Sequence, residues 1–140
     1  MKPAKFDYLR AESVRQAVAA LDQEEGAAIV LAGGQTLVPM LSMRLARPAL
    51  VVDINQISEL AGITLEDDEL LIKACTRQAE ILTSPLVKRH AHLLSKAVAF
   101  VGHQQTRNRG TVGGSLSHAD PASEIPLATL GLNASVSLHS

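Results

Sequence analysis

Residues 27–36 read Ala-Ala-Ile-Val-Leu-Ala-Gly-Gly-Gln-Thr, an apolar run that ends in two glycines and two polar residues. A short and wholly apolar run that ends in glycine is typical of a buried strand. Glycine permits positive φ and the close approach of a ligand, and Gln35 and Thr36 add polar groups. The stretch predicts a strand, a tight turn into a helix, and a candidate binding site at the turn.

The segments on either side of this strand predict an αβαβ arrangement in the first third of the chain. Ser13 is a candidate N-cap for a helix to about residue 22, because apolar residues recur there at helical spacing. A helix is also expected over 37–45, beginning near Pro39. Residues 50–54 predict a second buried strand, and the alternation favours a parallel pair.

The pattern changes after about residue 58. Apolar segments 63–65 and 70–74 flank an acidic turn, which predicts a β-hairpin. Short helices are expected over 76–82, 84–90, 92–101 and 121–132, and a strand is expected over 134–138. Residues 103–115 have the least periodicity, and we expect them to form a functional loop.

The composition narrows the classes of function. The 140 residues suit one domain or a large piece of one, and the net charge of −1 indicates neither nucleic acid nor an anionic membrane as partner. The single cysteine, Cys75, excludes an internal disulfide and a multi-thiolate metal site, and favours the cytoplasm as compartment. Residues 1–10 lack the apolar region of a signal peptide, and no run reaches the roughly 18–20 apolar residues of a membrane span.

A second glycine-rich segment reads Thr111-Val112-Gly113-Gly114-Ser115. Backbone N–H groups in such turns can converge on an anion, so two segments could hold the two phosphates of a dinucleotide. Each glycine pair could instead serve only the tight packing of a connection. Arg107 and Arg109 could pair with phosphates or with carboxylates such as Asp120 and Glu124, or stay solvated. Neither segment is a Walker A or a G-x-G-x-x-G motif.

The histidines predict neither a metal site nor a hydrolytic site. His90 and His92 stand two apart on one expected helix, a spacing that does not place both on one face. His118 and Asp120 would suit an acid–base couple, but no nucleophile elbow accompanies them. We assign no catalytic and no metal-ligating residue, and Cys75 is interpreted as a small core residue.

Two longer stretches that contain the glycine segments, 31–41 and 107–126, resemble the FAD-binding medium subunit of the molybdenum hydroxylase family, which includes xanthine dehydrogenase and carbon monoxide dehydrogenase. The second stretch is the more specific, and the resemblance extends along essentially the whole chain. It implies an α+β FAD-binding fold of two α+β subdomains, of the PCMH or vanillyl-alcohol-oxidase-like type. Residues 1–58 would form the first subdomain and 59–140 part of the second, incomplete at the C-terminus.

The resemblance also implies where FAD is held, with its pyrophosphate on the two glycine segments. The implied residues are Ala32, Gly33, Gly34, Gln35 and Thr36 on one side, Thr111, Gly113, Gly114 and Ser115 on the other, and Ser123 and Glu124 nearby. The family more often has His or Asn at Gln35, Asn at Ser115 and Asp at Glu124, and the residues present keep the capacity to hydrogen-bond. This interpretation predicts that Gly114→Val abolishes FAD binding by blocking the approach of a phosphate.

The implied function is that of an oxidoreductase subunit that is inactive alone. It would pass electrons from a [2Fe–2S] small subunit through FAD to NAD⁺, oxygen or a quinone, while a molybdopterin-binding large subunit hydroxylates the substrate. One alternative is a truncated, non-catalytic fragment that folds or assembles without retaining FAD. Another is a generic phosphate-binding module. The sequence identifies neither the substrate nor the electron acceptor.

Overall fold

The computed structural model describes residues 2–139 and has both helices and sheets, so the predicted α+β class is confirmed. The chain divides into two compact units. The first runs to Ser58 and takes in His139, and the second is Glu59–Leu138. Within residues 2–139, no helix is long and apolar enough to cross a membrane.

The first unit is built on a three-stranded parallel sheet. Its strands are β1 (Asp7–Arg10), β2 (Ala28–Leu31) and β3 (Leu50–Asp53), in the order β1-β3-β2, and the connections carry α1 (Val14–Gln23) and α2 (Leu37–Ser42). Strand β3 pairs in parallel with both neighbours, and its Val51 and Val52 are fully buried. The parallel pair predicted for β2 and β3 is confirmed.

The N-terminal part of this unit differs from the prediction by one strand. Strand β1 was not expected, because an edge strand with exposed Asp7, Tyr8 and Arg10 lacks the apolar run of a buried strand. The predicted cap of α1 is confirmed, since the Ser13 hydroxyl accepts a hydrogen bond of 3.2 Å from the Gln16 N–H. Helix α2 begins two residues before Pro39. Pro39 therefore lies in the first turn of the helix, where the missing proline N–H costs no helical hydrogen bond.

The second unit combines a hairpin with six short helices. Strands β4 (Ile63–Glu66) and β5 (Glu69–Ile72) pair antiparallel as predicted, joined by Asp67 and Asp68 at positive φ. The helices are α3 (Gln78–Thr83), α4 (Pro85–His90), α5 (His92–Val98), α6 (Gln104–Arg109), α7 (Val112–His118) and α8 (Glu124–Gly131), and a 3₁₀ turn covers Ser58–Leu60. The core centres on Ile81, Val87, Leu94, Val98 and Ile125.

Two predictions for this unit are wrong. Residues 103–115 are not a loop, because they contain α6 and the start of α7 around Gly110 and Thr111. Residues 134–138 form no strand, and within residues 2–139 their apolar alternation has no pairing partner. His90 and His92 do not share one helix, because α4 ends at the first and α5 begins at the second, in agreement with the separate helices expected over 84–90 and 92–101.

Candidate functional site

The first glycine segment, residues 32–36, leaves the carboxyl end of β2 and leads into α2. Gly34 has a φ of +70°, and a Cβ there would lie 3.0 Å from Cγ2 of Val38. Both facts favour glycine at this position. Gly33 is buried, while Gln35 and Thr36 are exposed, and the Gln35 side-chain amide donates to the Gly33 carbonyl at 3.2 Å. The segment is a turn with an exposed polar tip.

The backbone N–H groups of this turn have no acceptor among the described residues. Between residues 2 and 139, the structure records no hydrogen bond from the N–H of Gly33, Gly34, Gln35 or Thr36. The N–H of Leu37 likewise has no recorded acceptor between residues 2 and 139, and the Val38 N–H after it is bonded to the Gly34 carbonyl at 3.0 Å. A run of successive free N–H groups in a turn suits an anionic ligand. The geometry therefore supports the anion-binding interpretation of the first segment.

The second glycine segment, residues 111–115, is the capped first turn of α7. The Thr111 hydroxyl accepts from the Gly114 N–H at 3.1 Å, and the Thr111 carbonyl accepts from the Ser115 N–H at 3.2 Å. The N–H groups of the two residues between are also bonded, Val112 to the Thr76 carbonyl at 3.0 Å and Gly113 to the Ala74 carbonyl at 2.8 Å. Contrary to the expectation, this segment offers an anion no free backbone N–H from Val112 to Ser115.

The glycines around the second segment are packed closely against other residues. A Cβ on Gly113 would lie 2.7 Å from the Ala74 Cβ and 2.8 Å from the Ala74 carbonyl oxygen. A Cβ on Gly110 would lie 2.6 Å from Oε1 of Gln78, a buried atom with no hydrogen-bond partner in the described structure. Both distances are shorter than real Cβ contacts, but Gly113 would meet backbone, whereas at Gly110 the end of the Gln78 side chain would have to move. The packing explanation left open by the sequence thus accounts for Gly113.

Gly114 is exposed, but substitution there has an internal consequence as well. A Cβ on Gly114 would lie 2.8 Å from Oγ1 of Thr111, the atom that caps α7. A Gly114→Val variant would therefore disturb the helix cap in addition to crowding a ligand. Loss of a cofactor in that variant would not identify the second segment as its binding site.

Side chains of the second segment meet the residues before α8. The hydroxyls of Ser115 and Ser123 lie 3.1 Å apart, and both residues are half-buried. Asp120 shapes this turn, because its carboxylate accepts from the Ala122 N–H at 2.9 Å and its carbonyl from the Ser123 N–H at 3.0 Å. Glu124 is the first residue of α8. Four of the implied residues, Thr111, Gly114, Ser115 and Ser123, are therefore linked by hydrogen bonds within the second unit.

Of the two arginines considered as anion partners, Arg107 has its guanidinium in structural contacts, and Arg109 contributes its backbone carbonyl to another. The Arg107 guanidinium donates to the carbonyls of Val101 at 2.8 Å and Gly102 at 2.9 Å, just beyond α5. The carbonyl of Arg109 accepts from the Arg77 guanidinium at 2.6 Å, beside the antiparallel bridge between Arg77 and Thr111. These contacts hold the segment that leads into α7. Within residues 2–139, no cluster of His, Cys, Asp and Glu is arranged to hold a metal ion.

A polar network beside the first segment was not identified from the sequence. The Asn55 side-chain amide donates to the Ala32 carbonyl at 2.8 Å and to the Asp53 carboxylate at 2.7 Å. Burial raises the pKa of Asp53, but hydrogen bonds from Tyr8 and Asn55 and the charge of Arg10 lower it more, so the net pKa falls below the ordinary value. The signal was available, since polar residues directly after a buried parallel strand lie at the edge where ligands bind.

The family model described as "FAD binding domain in molybdopterin dehydrogenase" matches residues 4–140. An α+β chain with a glycine turn at the carboxyl edge of a parallel sheet is consistent with a nucleotide-cofactor-binding protein. More specifically, the chain belongs to this FAD-binding family. FAD is the cofactor of the family, and the recognition, cofactor and fold predicted from the resemblance are confirmed.

Individual relatives are dehydrogenase subunits. The 6-hydroxypseudooxynicotine dehydrogenase complex subunit alpha of Paenarthrobacter nicotinovorans is 46% identical over 140 residues, 100% of this chain and 47% of that protein. The carbon monoxide dehydrogenase medium chain of Hydrogenophaga pseudoflava is 39% identical over 134 residues, 96% of this chain and 47% of that one. The solved carbon monoxide dehydrogenase of the same organism superposes with a TM-score of 0.87 at 41% identity, over 90% of this chain and 44% of its own. The chain thus spans about half the length of the curated relatives it matches.

Proposed function

We propose that this chain binds FAD as part of the medium subunit of a molybdenum hydroxylase, and that it passes electrons from iron–sulfur clusters on a partner to an acceptor. The observation that carries the proposal is the run of N–H groups from Gly33 to Thr36 without an acceptor in residues 2–139, in a chain of an FAD-binding family. A pyrophosphate supplies the oxygens that such a run of donors requires.

The two glycine segments would contribute to the site in different ways. The first would bind the pyrophosphate through backbone N–H groups. The second would contribute side chains, because its N–H groups are already bonded. When two hydroxyls share one hydrogen bond, only one of them donates, so the Ser115–Ser123 pair keeps one O–H for a ligand. The proposed cofactor contacts are those of the sequence prediction: Ala32, Gly33, Gly34, Gln35, Thr36, Thr111, Gly113, Gly114, Ser115, Ser123 and Glu124.

Bound FAD supplies the redox chemistry, and the protein supplies binding and orientation. Gly34 lets the first segment turn at a φ of +70° without a Cβ against Val38, and the Thr111 cap together with the Gly113–Ala74 contact fixes the start of α7. We assign no acid, base or nucleophile in this chain, because transfer of electrons through a bound flavin requires none from the positions proposed here.

The partners and the domain assignment are part of the same proposal. Relatives named as medium chains, such as that of carbon monoxide dehydrogenase, support assembly with further subunits, which we propose to be a [2Fe–2S] small subunit and a molybdopterin-binding large subunit. Residues 1–58 would be the first FAD-binding subdomain and 59–140 part of the second. The cytoplasmic location expected from the single cysteine remains a prediction.

The proposal is tested by comparing flavins of different phosphate content. The purified protein, with any subunits that accompany it, is stripped of flavin and titrated with FAD and with FMN. FMN lacks the pyrophosphate, so we expect FAD to bind at least ~100-fold more tightly, as loss of several charge-assisted hydrogen bonds implies. Equal affinities would contradict a pyrophosphate site. The proposed partners are tested by metal analysis of the assembly that is purified through this chain. It should contain iron and molybdenum along with FAD, and an assembly with FAD but neither metal would contradict the proposed partners.

A further inference from the structure

Asn55, two residues after the central strand β3, contacts the first glycine segment. Its side-chain amide donates to the Ala32 carbonyl at 2.8 Å and lies 3.4 Å from the Leu31 carbonyl. The Ile54 N–H also donates to the Leu31 carbonyl, at 3.1 Å. The last two carbonyls before the glycines are therefore held by the two residues that follow β3.

Asp53 determines which way the Asn55 amide faces. One oxygen of its carboxylate accepts from both the backbone N–H and the side-chain amide of Asn55, at 2.8 Å and 2.7 Å. The other oxygen accepts from the Tyr8 hydroxyl on β1. Because a carboxylate offers acceptors only, the NH₂ group of Asn55 must face Asp53 and its carbonyl oxygen must face away. The same NH₂ group is thereby presented to Ala32.

We propose that Asn55 is a positioning residue for FAD, which holds the Ala32 carbonyl and so directs the Gly33 N–H toward the pyrophosphate. The Ala32 carbonyl and the Gly33 N–H belong to one planar trans peptide and point in opposite directions. Fixing the oxygen on the Asn55 side fixes the N–H on the other side. Because glycines allow this peptide to rotate, a turn without the Asn55 contact would have to order its N–H donors when FAD binds. The entropy lost in that ordering would weaken FAD binding. This inference rests on the proposed function.

Three variants separate positioning from general stability. Asn55→Ala removes the contact with Ala32, and Asn55→Asp keeps the size of the side chain but offers no N–H. Tyr8→Phe is the matched control, because it removes a hydrogen bond to Asp53 from the same network and leaves the Asn55–Ala32 contact in place. All are measured as the purified protein with its accompanying subunits, at a temperature where circular dichroism shows each variant to be folded.

The readouts are the FAD dissociation constant and the ³¹P resonances of bound FAD at saturation. Both Asn55 variants should raise the dissociation constant at least ~tenfold, the effect of one net hydrogen bond, and shift the pyrophosphate resonances. Tyr8→Phe should change affinity less than ~threefold and leave the resonances in place, although it lowers stability. A merely structural role of Asn55 would not move the ³¹P signals of bound cofactor.

The outcomes distinguish this inference from the proposed function. If the unsubstituted protein takes up no FAD, the proposed function fails and the inference fails with it. If that protein binds FAD and the Asn55 variants match Tyr8→Phe in affinity and ³¹P spectrum, the inference is overturned while the proposed function stands. The positioning role is supported if both Asn55 variants bind FAD more weakly and shift the ³¹P resonances while Tyr8→Phe does neither.

Discussion

Thr111 and Gly114 share one hydrogen bond and one steric limit. The Gly114 N–H donates to Oγ1 of Thr111 at 3.1 Å, and a Cβ on Gly114 would lie 2.8 Å from the same oxygen. The hydroxyl that caps α7 would therefore have to shift if Gly114 gained a side chain. A preference for glycine at this position thus has a source inside the chain, whatever ligand the segment contacts.

A double-mutant cycle tests this relationship. Thr111→Ala should lower the free energy of unfolding by about 1 kcal/mol through loss of the cap. Gly114→Ala should be destabilising in the original chain, yet nearly neutral or stabilising beside Thr111→Ala, because the clash is gone and alanine favours a helix. Denaturant unfolding of the four proteins gives the coupling energy. Strictly additive changes would show that the two residues do not interact in this way.

Gly113 gives a second stability prediction. Gly113→Ala should cost about 1–3 kcal/mol, because the added Cβ meets the Ala74 backbone as well as its side chain. Ala74→Gly should not rescue it, since the carbonyl oxygen remains 2.8 Å from the added Cβ. Gly131→Ala is the control, because its Cβ meets only the end of the Leu93 side chain, at 3.1 Å. Equal unfolding energies for Gly113→Ala and Gly131→Ala would refute the packing explanation.

The lowered pKa of Asp53 should make the stability of the protein depend on pH. Burial raises its pKa, but the hydrogen bonds from Tyr8 and Asn55 and the charge of Arg10 bring the net value below the ordinary 3.8. A group whose pKa is lowered by folding stabilises the protein above its unfolded pKa, and this contribution is lost as pH falls through the folded pKa. The stability difference between the original protein and Asp53→Asn should therefore be largest above pH 3.8 and shrink on acidification. Urea unfolding across that range checks the sign, and a difference that grows toward low pH would contradict it.

Thr36 tests the use of backbone donors in the first glycine segment. Thr36→Pro deletes an N–H that has no acceptor in residues 2–139, at a position whose φ of −98° is not far from the proline range. We expect it to weaken FAD binding about tenfold or more, whereas Thr36→Ala keeps the N–H and should bind within about threefold of the original protein. Isothermal titration with FAD measures both, and thermal unfolding confirms that each variant is folded. Equal losses in the two variants would place the contact on the hydroxyl.

Local signals made part of the fold predictable. The apolar run that became β2 and the polar turn at Asp67 and Asp68 carry their structure within a few residues. Strand β1 was not predictable in the same way, because it is defined by pairing with β3 much later in the chain. Helix α6 is polar throughout, so no apolar periodicity predicts it. It depends instead on contacts such as that of Arg107 with Val101.

The candidate site, too, is predictable only in the part that depends on local sequence. Both glycine segments are visible in the sequence, and residue type alone assigns them the same anion-binding role. Their difference comes from acceptors distant in the chain, because the carbonyls of Ala74 and Thr76 take the N–H groups of Gly113 and Val112. The contact of Asn55 with Ala32 is likewise a tertiary one. Which donors remain for a ligand is therefore a property of the fold.

The most direct test of the account is the flavin content of the purified protein with its accompanying subunits. The visible spectrum is recorded before and after incubation with FAD and desalting, and the released flavin is identified by chromatography. We predict retained absorbance at ~450 nm, stoichiometric with this chain, from a flavin identified as FAD. A folded protein that stays colourless after incubation with FAD would contradict the account.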